Sequence, residues 1–185
     1  MTVPLLRGRD VVGSPVVSIA SGEDIAEVRD VVFDPGAGAI TGFSLNQRGR
    51  LKGRLRSMLP IDTVAAVGTD AVMVADDDAL VAPDEAPATV TAVREQDDVL
   101  GDLVVTQSGR QLGKIQDVVL LGGPAPRVVG FEIGGGDVGT GLIPLGQQQG
   151  VSGSALIVPD GFESRVRTDL TGLAAELADV ERGRS

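Results

Sequence analysis

Ile25-Ala26-Glu27-Val28-Arg29-Asp30-Val31-Val32 is the stretch that decides the fold, because it returns as Leu112-Gly113-Lys114-Ile115-Gln116-Asp117-Val118-Val119 at a constant offset of 87 residues. Working outward, other blocks recur in the same order. Val16-Val17-Ser18-Ile19-Ala20-Ser21-Gly22 returns as Val104-Val105-Thr106-Gln107-Ser108-Gly109, one residue shorter. Ile40-Thr41-Gly42-Phe43-Ser44-Leu45 matches Val128-Val129-Gly130-Phe131-Glu132-Ile133 at offset 88. Leu59-Pro60-Ile61 matches Ile143-Pro144-Leu145, and Ala71-Val72-Met73-Val74 matches Ala155-Leu156-Ile157-Val158, both at offset 84. Ordered blocks with so little drift in offset indicate an internal duplication.

Each copy reads as a string of short β-branched runs broken by Gly and Pro, the signature of a sandwich or barrel. Ser21-Gly22 and Ser108-Gly109 are expected as hairpin turns. Asp34-Pro35-Gly36-Ala37-Gly38 is expected as a second turn, with Gly122-Gly123-Pro124-Ala125-Pro126 as its counterpart. After Pro159-Asp160-Gly161 the period changes: Leu170, Leu173, Leu177 and Val180 fall at helical spacing, with Thr168 or Asp169 as N-cap. The expected fold is all-β: two tandem small β-barrels plus a short C-terminal amphipathic helix over 169–181. The expected domains are a first barrel at 1–75, an acidic Pro-containing linker at 76–98, a second barrel at 99–160, and a helix and tail at 161–185. The stretch 75–98 holds eight acidic residues against one basic residue, Arg94, and reads as solvated, with a short strand at 88–93. At about 70 residues each, the barrels are near the lower limit for a self-sufficient core. They are expected to pack on one another or on the C-terminal helix.

Composition removes most catalytic chemistry. The chain of 185 residues has no His, Cys, Trp or Tyr, and its only aromatic residues are Phe33, Phe43, Phe131 and Phe162. Thiol nucleophiles, disulfides and imidazole bases are therefore missing, as are the usual ligands of zinc, haem and iron–sulfur clusters. Platforms for stacking single-stranded bases are nearly absent. With 16 basic and 26 acidic residues, the formal charge of −10 opposes general nucleic-acid binding. No apolar stretch approaches the roughly 20 residues needed to span a bilayer. Ser14, Pro15 and Ser18 interrupt the N-terminal apolar run, so no signal peptide and a cytoplasmic location are expected.

One local feature stands out. Arg48, Arg50, Lys52, Arg54 and Arg56 place a cation at every second position, which on an extended strand is one face. Such a stripe suits phosphates, anionic headgroups or an acidic protein surface, and equally reads as a solvated hairpin loop docking on the chain's own acidic linker. The second copy carries Gly134-Gly135-Gly136-Asp137-Val138-Gly139-Thr140-Gly141 there. That run lacks the Gly-Lys-Ser/Thr of a phosphate loop and reads as a flexible hairpin. Asp30 and Asp117 recur at one repeat position, which favours turn-capping over metal binding or catalysis. Asp76-Asp77-Asp78 reads as solvated. The Leu170, Leu173, Leu177 and Val180 stripe reads as core packing, with a partner-binding or dimerising helix as the alternative.

The repeat unit resembles the PRC-barrel domain, the small β-barrel of the photosynthetic reaction-centre H subunit and of a ribosome maturation factor. Ser21, Gly22, Val28, Asp30, Val31, Val32, Phe33, Asp34, Pro35, Gly42, Leu59, Pro60 and Ile61 carry the resemblance in the first copy. Ser108, Gly109, Gly113, Ile115, Asp117, Val118, Val119, Gly130, Ile143 and Pro144 carry it in the second. Ala26 stands where the family has Gly, which Gly113 keeps, and the second copy lacks the Asp-Pro turn. The resemblance implies a binding or scaffolding module with no catalytic residues, cofactor or metal. The expected function is a non-enzymatic cytoplasmic adaptor or scaffold that binds a protein or ribonucleoprotein partner through barrel edges and the basic loop. A ribosome-associated maturation factor and a peripheral protein on anionic headgroups are the alternatives, and a homodimer is an open option.

Overall fold

The computed structural model describes residues 3–34, 39–47, 58–85, 99–146, 150–152 and 155–182. The short β1 (Leu5–Arg7) and the single-turn α1 (Gly8–Val11) lead into β2 (Pro15–Ser18), β3 (Asp24–Asp34), β4 (Ala39–Gln47), β5 (Met58–Pro60), β6 (Val64–Val67) and β7 (Val72–Val74). The second set is β8 (Leu103–Thr106), β9 (Gln111–Leu121), β10 (Arg127–Gly136), β11 (Gly139–Pro144), β12 (Gly150–Ser152) and β13 (Ala155–Val158). A helix, α2 (Leu170–Arg182), closes the described chain. The strand order in the first sheet is β5-β4-β3-β2-β7-β6, and in the second it is β11-β10-β9-β8-β13-β12. The two orders are identical once each label is moved on by one copy, so the sequence duplication is a duplication of topology. The fold is all-β, two tandem small barrels with a short C-terminal helix.

Pairing repeats residue by residue. In the first copy β2 runs parallel to β7, with Val16 opposite Val72 and Ser18 opposite Val74. In the second, β8 runs parallel to β13, with Val104 opposite Leu156 and Thr106 opposite Val158. The remaining neighbours are antiparallel hairpins, as short connections require. Each copy enters its first long hairpin through the same turn. Val12 (φ −63°, ψ 130°) and Gly13 (φ +86°) form a type II turn closed by Ser14 N–H to Val11 O at 3.1 Å. In the second copy Gly101 is also left-handed, and Asp102 N–H donates to Val99 O at 3.2 Å.

The chain divides into two compact units, 1–97 with 120–127, and 98–119 with 128–185. The core of each is mainly aliphatic, with a fully buried phenylalanine, Phe43 in the first and Phe131 in the second. Val16, Val28, Phe43, Leu59, Val72 and Val74 are fully buried in the first, and Val104, Ile115, Phe131, Ile143, Leu156 and Val158 take the equivalent positions in the second. Burying such side chains supplies about 1.5–3 kcal/mol each. Val, Ile and Leu suffice because paired strands need only fill a thin barrel interior.

The repeated Gly-Phe has a steric cause. Gly42 lies opposite Pro60, and Gly130 opposite Pro144. A Cβ at Gly42 would overlap the carbonyl oxygen of Leu59, and one at Gly130 that of Ile143. The repeated proline sits on the edge strand of its sheet, where a residue without an N–H is tolerated.

The expected solvated linker is corrected at its start. Ala79, Leu80 and Ala82 are buried, and Val81 exchanges both backbone hydrogen bonds with Met58 on the edge strand β5, at 2.9 and 3.2 Å. Thr63 Oγ1 also reaches Ala79 O at 3.2 Å. Acidic residues dominate the composition of 75–98, but the apolar Ala79-Leu80-Val81-Ala82 within it is what packs. The expected strand at 88–93 and the turn 35–38 lie outside the described residues.

Candidate functional site

The five cations of the stripe, Arg48, Arg50, Lys52, Arg54 and Arg56, lie outside the described residues. They follow β4, which ends at Gln47, and precede the edge strand β5, which begins at Met58. Their counterpart in the second copy is described and corrects one expectation. The glycine run is no free loop: it continues the β10–β11 ladder to a two-residue turn at Asp137-Val138, with Gly136 paired to Gly139. A Cβ at Gly136 would overlap Leu112 O, and one at Gly134 would meet the Gln116 side chain. These glycines serve close backbone approach, not anion binding.

Sequence reading missed a polar cluster at one end of each unit. A parallel pair sets the C-terminal ends of both strands side by side. The residues following β2 therefore meet those following β7, and likewise for β8 and β13. In the second unit Asp160 Oδ1 accepts from Ser108 N–H at 3.0 Å and from Ser108 Oγ at 2.7 Å. The Thr106 hydroxyl joins at 3.0 Å from Ser108 Oγ. These bonds from Ser108, side chain first and then backbone, hold the Asp160 carboxyl below its ordinary value of 3.8. In the first unit Ser21 Oγ donates to Asp77 Oδ1 at 3.1 Å, while Asp76 Oδ1 accepts Asp78 N–H at 3.0 Å. So Asp76 and Asp77 organise the chain as it leaves the barrel. The available signal was the recurrence of Ser-Gly before the long strand and of Asp just after the last one.

Beside this cluster, Arg110 spans Asp137 at 3.2 Å and Glu163 at 3.0 Å. All three side chains are substantially exposed, so the network is worth little in stability. Asp30 and Asp117 each accept the N–H of the following residue at 2.8 Å. Those donors are Val31 and Val118 within strands, not turn amides; at Asp30 the strand carries a bulge. Among the described residues no group of three or more His, Cys, Asp or Glu is arranged to hold a metal ion. Among them, too, no helix is long and apolar enough to cross a membrane.

The C-terminal helix starts where the sequence places it. Asp169 is the N-cap, with Oδ1 accepting Gly172 N–H at 2.7 Å. Leu173 is fully buried, whereas Leu170 and Leu177 are half-buried; the Val180 side chain is outside the described set. The chain reaches the helix through Arg167, which exchanges hydrogen bonds with Leu142 of edge strand β11 at 2.7 and 2.8 Å. Glu176 then binds Arg165 at 2.7 Å and also Arg167. The Arg165 hydrogen bond, foremost, holds the Glu176 carboxyl below its ordinary 4.5. The hydroxyl of Ser44 is buried without a hydrogen-bond partner.

Chemically, these carboxylates accept turn and helix N–H groups and pair with arginines; the geometry offers surfaces and edges. No curated protein matches the sequence. The PRC-barrel domain model matches twice, over residues 4–81 and 93–164. The first match runs as far as Val81, the residue that pairs with the β5 edge. Two matches in tandem on two sheets of identical strand order give one conclusion: the chain belongs to the PRC-barrel family, with two copies of the domain.

Proposed function

We propose that the protein is a non-enzymatic cytoplasmic adaptor or scaffold, which binds a protein or ribonucleoprotein partner through barrel edges and the stripe Arg48, Arg50, Lys52, Arg54 and Arg56. One observation carries this reading: two barrels of identical strand order differ in charge at one connection. Between β10 and β11 the second copy has a glycine ladder whose one charged residue is the acidic Asp137, and between β4 and β5 the first copy has a cation at every second residue. Cations concentrated there, in a chain of net charge −10, form a local attractor for an anionic surface.

The test is affinity capture from the native cell with the full chain and with a variant carrying Ser at all five cations. Circular dichroism verifies that both fold alike. A partner lost in the variant supports the reading and identifies ligand and site together. An unchanged set of captured proteins overturns it. Flotation with anionic vesicles, lost in the variant in the absence of any protein partner, would replace the adaptor by a peripheral membrane protein.

A further inference from the structure

We infer that the β6 edge of the first sheet is an internal docking site for the Gly122-Gly123 turn of the second domain copy, and that this turn holds the two copies together even without the chain that links them. β6 ends the strand order of its sheet, so its outer backbone groups need partners. They find them in the connection between β9 and β10. Val67 N–H donates to Gly123 O at 3.0 Å, and Gly123 N–H returns a bond to Val67 O at 2.7 Å. Gly122 N–H donates to the carbonyl of Pro4, the residue before β1, at 2.8 Å. Val67 itself is fully buried. All four residues lie in the first unit, which takes in 120–127.

The seat selects glycine. A Cβ at Gly122 would stand 2.6 Å from Val67 O, and one at Gly123 would stand 3.0 Å from Val3 Cγ1. Gly123 also has φ +77°, where a side chain is strained. The offset of 87 residues places Pro35 at the repeat position of Gly122. Proline has no N–H to give to a carbonyl, and its ring carbons would occupy the space that Val67 O fills beside Gly122. The absence of Asp-Pro from the second copy therefore has a physical cause: that turn must approach backbone closely and donate from two successive amides. The contact is also one-way. The turn of the first copy carries the wrong residue to repeat it on a further molecule, so docking closes within one chain and does not propagate head to tail.

The experiment places a specific protease site within 86–97 of the full chain and cuts the folded protein there. Size exclusion with mass analysis then follows the two pieces. With the rest of the sequence unaltered, they are expected to co-elute one to one, because the C-terminal piece brings 120–127 to the first unit. Gly122→Pro puts the first copy's own residue in the turn and is expected to weaken the pair by about tenfold or more, read as separation on dilution. In the uncut chain the same substitution should speed hydrogen exchange across 64–74, which belongs to the other copy. Gly122→Ala, with its Cβ against Val67 O, serves if circular dichroism shows that Gly122→Pro does not fold. Separate elution of the unsubstituted pieces overturns the proposal. So does a substituted pair that stays together on dilution as the unsubstituted pair does, or a change in exchange confined to 111–136.

Discussion

Asp160 holds Ser108 through a single oxygen, which accepts both the Ser108 amide and its hydroxyl. This contact joins the turn after β8 to the chain leaving β13, and the parallel pairing of those strands is what makes it possible. In the first unit the Ser21 hydroxyl makes the corresponding bond, to Asp77, while its amide donates to Ser18 Oγ instead.

The Ser108–Asp160 contact should be visible in the acid limb of the stability curve. The folded pKa of Asp160 is lowered, so its contribution is present above the ordinary value of 3.8 and is lost as pH falls through the folded value below it. Asp160→Asn is expected to lower the melting temperature at neutral pH, and the gap to wild type should narrow below pH 3.8. Thermal melts across pH check this, and a gap independent of pH would contradict it.

Gly42→Ala and Gly130→Ala should be among the most damaging small substitutions in the chain. Each new methyl would overlap a backbone carbonyl that cannot rotate aside. Overpacking costs typically about 1–3 kcal/mol, and the immovable partner puts these variants at or above the top of that range. Urea denaturation measures the loss. Gly22→Ala and Gly109→Ala, at left-handed turn positions, face open space and should cost less, through backbone strain alone.

Leu173→Ala should destabilise the second unit by about 2–5 kcal/mol, the usual range for truncating a fully buried leucine. Leu170→Ala and Leu177→Ala, at half-buried positions, should cost less. Hydrogen exchange resolved by segment would place the loss in the second unit; equal effects at all three leucines would show that the helix does not seat through Leu173.

Glu176→Gln removes the charge that binds Arg165 and Arg167. The folded pKa of Glu176 is lowered, so its stabilisation is present above the ordinary 4.5 and is lost as pH falls through the folded value. The variant should melt lower at neutral pH and lose less than wild type on acidification. Parallel melts at neutral and acidic pH decide it.

Much of the fold is legible because strands carry their own code. Alternating β-branched runs, the duplicated Asp-Val-Val and Gly-Phe, and the matching Leu59-Pro60 and Ile143-Pro144 specify two copies of one topology and a capped C-terminal helix. The polar latches are not legible, because Ser108 and Asp160 are separated by a whole barrel's worth of chain and meet only through a parallel pairing. The glycine run looks like a loop in sequence for a related reason. Glycine reports freedom in the sequence, but at Gly134 and Gly136 the neighbours Gln116 and Leu112 turn that freedom into a packing requirement.

By itself, then, the sequence determined the chemistry available to the protein and the repetition of its barrel, since both follow from residue types and spacing. Tertiary structure alone decided what becomes of the edges at β5 and β11. In sequence Val81 and Arg167 fall in a solvated linker and a tail, yet each pairs with an edge strand of its own barrel, at Met58 and Leu142. The reason is physical: an unpaired edge leaves N–H and C=O groups in search of partners, and the nearest available backbone is the chain that has just left the barrel.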